Sequence, residues 1–273
     1  MSSQLFRNLH RGPGLLLLPN AWDAVSARLI ESLGAPAIAT TSAGLAWSRG
    51  YPDGNALPED QLVAAIRDIV RVIRVPLTVD IEAGYSDDPP AVARLVARVL
   101  GVGAVGINIE DGERSPDLLC KKIAAIRDHA AHSGADVFIN TRTDVHLRGV
   151  ARGEAATEEV IRRACHYRAA GCDGLFVPGL ATADAMAAIS AAIAPMPLSV
   201  MAVPNLPSMG TLEKSGVRRL SAGSLIAQAA IGRTSQLVSS FLAGTMSGMF
   251  DASADYGAVN RLFAPNTPEL VSG

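Results

Sequence analysis

Two acids stand two residues apart in Leu77-Thr78-Val79-Asp80-Ile81-Glu82, a run whose apolar and polar residues alternate. In an extended strand that alternation puts Leu77, Val79 and Ile81 on one face and Thr78, Asp80 and Glu82 on the other. The stretch around Gly106-Ile-Asn-Ile-Glu110 repeats the pattern, with Val105, Ile107 and Ile109 opposed to Gly106, Asn108 and Glu110. In Val137–Arg142, Ile139 takes the apolar side while Asn140 and Arg142 take the polar one. Three carboxylates (Asp80, Glu82, Glu110) brought to one mouth repel one another unless a cation sits among them or some hold protons. Oxygen ligands without clustered His or Cys select a hard cation, so Mg²⁺, or Mn²⁺, is the expected cofactor. Arg142 offers a planar fork suited to a substrate carboxylate. The alternative for the same residues is a ring of buried ion pairs, or acids capping the helices that follow.

The elements that must position these residues alternate along the chain. Strands are expected at Leu15–Leu18, Ala37–Ser42, Leu77–Glu82, Ala104–Glu110, Val137–Arg142, Gly174–Val177, Leu198–Ala202 and Arg218–Ala222. Between them the period becomes helical, as in the stripes Leu62, Ile66, Ile69, Val70, Ile73 and Val92, Leu95, Val96, Val99. Gly34, Gly103, Gly171 and Gly216 precede strands, where a helix ends and the chain turns back. Eight such units without a composition break predict an α/β fold, a single-domain (β/α)8 TIM barrel over about residues 12–242. A tail of about 243–273 follows, with a helical piece near Tyr256–Phe263. A doubly wound open sheet is the alternative architecture, with fewer strands. In a barrel the apolar faces meet the helices, so the polar faces point inward, and Asp80, Glu82, Glu110 and Arg142 gather at the C-terminal strand ends, where barrel enzymes place their chemistry.

Of the 273 residues 49% are hydrophobic and only 4% aromatic, as suits helices packed on a parallel sheet. A net charge of −2 argues against nucleic acid or an anionic membrane as partner. No apolar run is long enough to span a bilayer or to serve as a signal peptide. Cys120, Cys165 and Cys172 show no CxxC spacing and read as reduced thiols of a cytoplasmic protein.

Asp80-Ile-Glu-Ala-Gly-Tyr85, Gly106-Ile-Asn-Ile-Glu-Asp111 and Asn140-Thr-Arg-Thr-Asp144 resemble the isocitrate lyase/phosphoenolpyruvate mutase superfamily. Leu18-Pro-Asn-Ala-Trp-Asp23, Thr41-Ser-Ala-Gly-Leu45 and Pro52-Asp-Gly-Asn55 follow the same pattern in order, so the resemblance spans about residues 12–240. It implies that Asp80 contacts Mg²⁺ directly, with Glu82 and Glu110 holding the ion directly or through water. It implies that Ser42, Ala43 and Gly44 form a loop binding the carboxylate end of a 2-oxo acid, and that Arg142 contacts substrate oxygens. Asp53 matches an acid beside the reacting carbon. The implied chemistry is an enolate of a 2-oxo acid, formed as a C–C or P–C bond breaks. A homo-oligomer, tetramer or dimer, is implied as well, the tetramer exchanging a last helix of about Ser224–Leu242.

The departures from that family are informative. The loop after the fourth strand reads Asp111-Gly-Glu-Arg-Ser-Pro-Asp117, without the cysteine of the lyases or the lysine and asparagine of the mutases. After the sixth strand stands Val177-Pro178-Gly179, without a charged reader. A short-loop branch is expected, a Mg²⁺-dependent lyase of a small 2-oxo or 2-hydroxy acid with C–C cleavage favoured. The alternatives are a phosphoenolpyruvate- or carboxyphosphonoenolpyruvate-type phosphonomutase, an oxaloacetate decarboxylase, and a 2-oxo acid binding protein without turnover. Cys120 reads as an inert helical cysteine, and His129 and His132 as a solvated helix face. His146 lies beyond the fifth strand on the active side, and Arg49 and Tyr51 flank Asp53. Ser221-Ala-Gly-Ser224 opens the last helix and is a weak candidate phosphate site.

Overall fold

The computed structural model describes residues 3–251 and 253–264. In chain order the elements are α1 (Ser3–Arg11), β1 (Leu16–Leu18), β2 (Asn20–Ala21), α2 (Ala24–Ser32), β3 (Ile38–Thr40), α3 (Ser42–Ser48), α4 (Glu59–Val72), β4 (Leu77–Asp80), α5 (Pro89–Gly101), β5 (Gly106–Glu110) and α6 (Pro116–Ser133). They continue with β6 (Phe138–Arg142), α7 (Gly153–Ala170), β7 (Gly174–Phe176), α8 (Ala183–Ile193), β8 (Leu198–Met201), α9 (Met209–Lys214), β9 (Val217–Ser221), α10 (Leu225–Leu242) and α11 (Tyr256–Phe263). The chain divides into two compact units, one up to Ile226 and one from Ala227.

The first unit is a TIM-type barrel, as the alternation predicts. Its nine strands are all parallel, in the order β1-β9-β8-β7-β6-β5-β4-β3-β2. β1 and β2 are one stave broken at Pro19, which has no N–H to give to a ladder. β1 pairs with β9 and β2 with β3, while the Pro19 carbonyl accepts the Ala39 N–H at 3.0 Å. The stave therefore closes the ring from both sides.

Leu77, Val79, Ile81, Ile107, Ile109 and Ile139 are fully buried in one core with Leu62, Ile66, Ile69 of α4 and Val92, Leu95, Val96, Val99 of α5. Each such side chain contributes roughly 1.5–3 kcal/mol by leaving water. Val105 is the exception to the expected parity. It precedes β5 and packs in a second cluster with Phe6, Leu16, Leu18, Ala37, Ala39 and Phe138.

That second cluster plugs the N-terminal end of the barrel axis, and the sequence reading missed its key element, α1. Phe6 is wholly buried and His10 nearly so. The Phe6 ring meets Phe138 edge-on at 5.3 Å, and the His10 imidazole stacks on Phe138 at 4.4 Å. Gly106 makes room for this plug: a Cβ there would lie 3.0 Å from the Phe138 carbonyl oxygen and 3.2 Å from the Phe6 ring.

The second unit holds most of α10 and the short α11, the helical piece expected near Tyr256–Phe263. On α10, Ile231, Val238, Phe241 and Leu242 are all exposed.

Candidate active site

A cavity of about 150 Å³ opens at the C-terminal strand ends, lined among others by Ser42, Asp53, Asp80, Asn108, Arg142 and Ser221. Asp80 ends β4. Its N–H donates to Thr40 Oγ1 at 2.9 Å, which ties the strand end to β3, and its Oδ1 accepts the Glu82 N–H at 3.1 Å, which holds the carboxylate from the loop. Burial pushes its pKa up, against the opposing pull of the Arg142 charge and the Glu82 N–H, while Asp53 adds repulsion. Asn20 sets the rim, donating to the Thr40 carbonyl at 2.9 Å and accepting the Ala222 N–H at 3.0 Å.

Strand parity fails at Glu82. β4 ends at Asp80, and Glu82 has φ +52°, a left-handed conformation uncommon outside glycine that concentrates at functional sites. The turn carries its buried carboxylate away from the cavity, where it accepts the Asn55 N–H and the Tyr85 hydroxyl, the latter at 3.0 Å. Glu82 thus holds the loop that presents Asp53. Burial raises its pKa first, opposed by the Asn55 N–H and reinforced by Asp53 and Asp80.

Glu110 is also off the cavity wall. Its carboxylate pairs with Arg142 Nη1 at 2.6 Å. Burial pushes its pKa up to about 8, with Arg142 opposing and Asp80 reinforcing. The Arg142 fork expected to grasp substrate is already engaged, because Nε and Nη2 donate to Asp144 at 2.6 and 3.0 Å. A guanidinium carries five N–H groups. Arg142 therefore turns its remaining donors, not its bidentate edge, to the cavity it lines.

Behind Asp144 stands a residue whose part the sequence did not reveal. Asp111 is 1% exposed and accepts from the Asp144 N–H (2.9 Å), Thr143 Oγ1 (2.8 Å), Arg163 Nη1 (2.8 Å) and the Tyr167 hydroxyl (2.7 Å). This locks the β5 and β6 loops to α7. All four donors come from beyond residue 140, so the role shows only once the chain is folded.

Arg219 was missed as well, although alternation along Val217-Arg-Arg-Leu-Ser221 carries the signal, with Val217, Arg219 and Ser221 all buried. Its guanidinium lies in the barrel interior, Nη2 donating to Asn108 Oδ1 at 3.2 Å and Nη1 without a partner among the described residues. Burial lowers its pKa to about 9, and the Asp80 charge opposes that shift. Asn140 Nδ2 donates to the same Asn108 oxygen at 3.0 Å. Asn108, on the cavity wall, joins this interior cation to the site.

The other candidate residues divide. Ser42, Ala43 and Gly44 form the first turn of α3 and not a loop; Ser42 and Ala43 line the cavity and Gly44 is buried behind them. Ser221, Gly223 and Ser224 line it too. Arg49 turns from the mouth to Gln61 at 3.0 Å and Asp68 at 3.5 Å, and Tyr51 packs on the core. Cys120 is half-buried on α6, off the cavity wall, its thiol pKa raised by burial and by Asp117. His129 and His132 are exposed on α6. His146 lies behind Gly179, its Nε2 without a partner among the described residues and its pKa lowered by burial.

Among the described residues no three His, Cys, Asp or Glu side chains gather as a ready metal cage. The donor set still fits Mg²⁺, which keeps several waters and needs only one or two protein carboxylates. Asp80 is placed to be that ligand, and the upward pressure on the pKa values of Asp80, Glu82 and Glu110 is what a cation would relieve.

The phosphoenolpyruvate phosphomutase family matches residues 6–242, and the chain belongs to it and so to the isocitrate lyase/phosphoenolpyruvate mutase superfamily. It is 37% identical over 224 residues to an uncharacterised protein of Mycobacterium tuberculosis, covering 81% of this chain and 82% of that one. A crystal structure from Burkholderia cenocepacia J2315, provisionally described as a phosphonomutase, superposes with a TM-score of 0.82 at 40% identity, over 87% of this chain and 98% of that one. An oxaloacetate decarboxylase of Bradyrhizobium diazoefficiens is 31% identical over 199 residues, 68% of this chain and 66% of that one. These relationships support enzymatic activity of the lyase and mutase kind. Among the described residues no helix is long and apolar enough to cross a membrane.

Proposed function

We propose that the protein is a Mg²⁺-dependent lyase that cleaves a carbon–carbon bond of a small 2-oxo or 2-hydroxy carboxylic acid. The observation that carries this reading is the Asp80 carboxylate, held by the Glu82 N–H at a strand end tied to Thr40, on the wall of a small polar cavity whose only other charged residues, among those described, are Asp53 and Arg142. A cavity of about 150 Å³ is below the roughly 300–1,000 Å³ of drug-sized sites and suits a small acid.

Asp80 would hold the ion, with Glu82 and Glu110 acting through water. When bound, the ion would supply Lewis-acid stabilisation of the negative charge that develops on the 2-oxo group. Ser42 and the first-turn N–H groups of α3 would receive a substrate carboxylate. Arg142, held by Asp144 and Glu110, would orient the substrate through the donors it has left. Asp53, on the loop pinned by Glu82, would take or return the proton at the reacting carbon. With one cation on the wall, a phosphonate would lack the extra positive charge its oxygens call for, which favours C–C over P–C chemistry. Oxaloacetate decarboxylation is the second reading, supported by the Bradyrhizobium relative.

The exposed apolar residues of α10 favour a homo-oligomer in which that helix packs on another subunit. The deciding experiment measures pyruvate release from a panel of 2-hydroxy and 2-oxo diacids, with and without Mg²⁺. Metal-dependent release from at least one supports the proposal, and none from any member rejects it.

A further inference from the structure

We propose that the N-terminal face of the barrel carries a second binding site, for a small polyanion bearing phosphoryl or carboxylate groups. A cavity of about 560 Å³ opens there, at the strand end opposite Asp80, within the range of small-molecule sites and larger than the cavity beside Asp80.

Its charge is one-sided. Arg7, Arg11, Arg168 and Arg218 line it, against a single carboxylate, Asp173. Asp173 is already neutralised, pairing with Arg7 and Arg127 and accepting the Ile139 N–H at 2.8 Å. Arg7 is spent too, since it also pairs with Asp136 at 2.7 Å. Among the described residues no carboxylate lies within 4.0 Å of Arg11, Arg168 or Arg218, and Arg168 reaches only the Ala194 carbonyl, at 3.5 Å.

His10, also on the wall, is 4% exposed and donates its Nδ1 proton to the Phe6 carbonyl at 2.8 Å, which leaves Nε2 an acceptor that adds nothing to anion binding. Pro195, Met196 and Pro197 form an apolar side. Three guanidiniums without a carboxylate partner among the described residues focus a positive field on this concavity, and their planar forks match phosphoryl and carboxylate oxygens. No acid remains there to hold a cation, so this site is chemically the reverse of the one around Asp80.

The test is calorimetric titration of the full-length protein with two probes, pyrophosphate and citrate, in EDTA so that no divalent metal contributes. The comparison proteins are Asp80→Asn, the double variant Arg168→Ala/Arg218→Ala, and the charge-retaining Arg168→Lys/Arg218→Lys. At least one probe should bind wild type and Asp80→Asn alike, and bind the double alanine variant about tenfold or more weakly, because two charge-assisted contacts are lost. The lysine variant, which keeps the charge, should fall between them. Preference for pyrophosphate or for citrate identifies the ligand as phosphoryl or carboxylate. Failure of both probes to bind wild type overturns the proposal, as does equal binding to wild type and both arginine variants. Loss of binding in Asp80→Asn alone would place the probe in the other cavity and overturn it too.

Discussion

Arg142 presents two nitrogens to the two carboxylate oxygens of Asp144, at 2.6 and 3.0 Å, and a third to Glu110 at 2.6 Å. The cation on the cavity wall is therefore oriented by acids that do not line the wall. Oxalate, planar and doubly charged, imitates the enolate of pyruvate and should bind in a Mg²⁺-dependent manner. Arg142→Ala should weaken it roughly ten- to a hundredfold, the loss of a charge-assisted bond. Asp144→Asn, which keeps one acceptor, should weaken it less. Thermal-shift titrations of the three proteins decide, and equal, metal-independent binding to all would remove Arg142 from the site.

Asp80→Ala should sharply lower Mg²⁺ affinity, because it removes the wall carboxylate held by the Glu82 N–H at a strand end tied to Thr40. Calorimetry on wild type and variant measures it. Unchanged affinity would mean that the ion, if it binds, sits elsewhere.

Cys120→Ser should keep the wild-type rate within a small factor. The thiol sits half-buried on α6, off the cavity wall, with a raised pKa. A loss of several orders of magnitude in a folded variant would make it the general acid after all.

Asp111→Ala should cost about 3–5 kcal/mol in denaturant unfolding, the usual penalty for breaking a buried ion pair from one side. Arg163 would lose its buried partner, and the Tyr167 hydroxyl and Asp144 N–H their acceptor. A change below about 1 kcal/mol, the scale of an exposed pair, would contradict the burial argument.

His10 predicts an acid sensitivity. Burial lowers its pKa to about 3, with the Arg219 charge adding to the effect, the Phe6 carbonyl opposing it and the Arg7 charge again lowering it. Between pH 3 and the ordinary histidine value near 6.5 the unfolded chain binds a proton that the folded chain refuses. Stability must then rise with pH across that window, by up to about 1.4 kcal/mol per pH unit, and level off above it. His10→Leu should flatten that slope in pH-dependent unfolding, whereas an unaltered slope would assign it to other groups.

The barrel was legible because alternation and helical stripes survive in any order of reading. Leu77, Val79, Ile81, Ile107 and Ile109 lie where period two puts them, in one buried core with the α4 and α5 stripes. The same rule misled at Glu82, because parity assumes that the strand continues and the chain turns left-handed there. Arg142 was found as an inward residue but its engagement was not, since Asp144 lies two residues away on the loop and Glu110 on the neighbouring strand. Asp111 and α1 were opaque for a related reason. Their partners, such as Tyr167 for Asp111 and Phe138 for Phe6, are far along the chain, and no local pattern announces a contact over such separations.

The plug formed by Phe6 and Phe138 has a practical consequence for defining the gene product. A version of the protein beginning after Arg11 would retain every strand and every residue around Asp80, yet it would leave the Phe138 ring uncovered and the space beside Gly106 empty. Choosing a later start codon, or trimming the first eleven residues, would thus uncork the barrel from below while the cavity around Asp80 still looked intact in sequence.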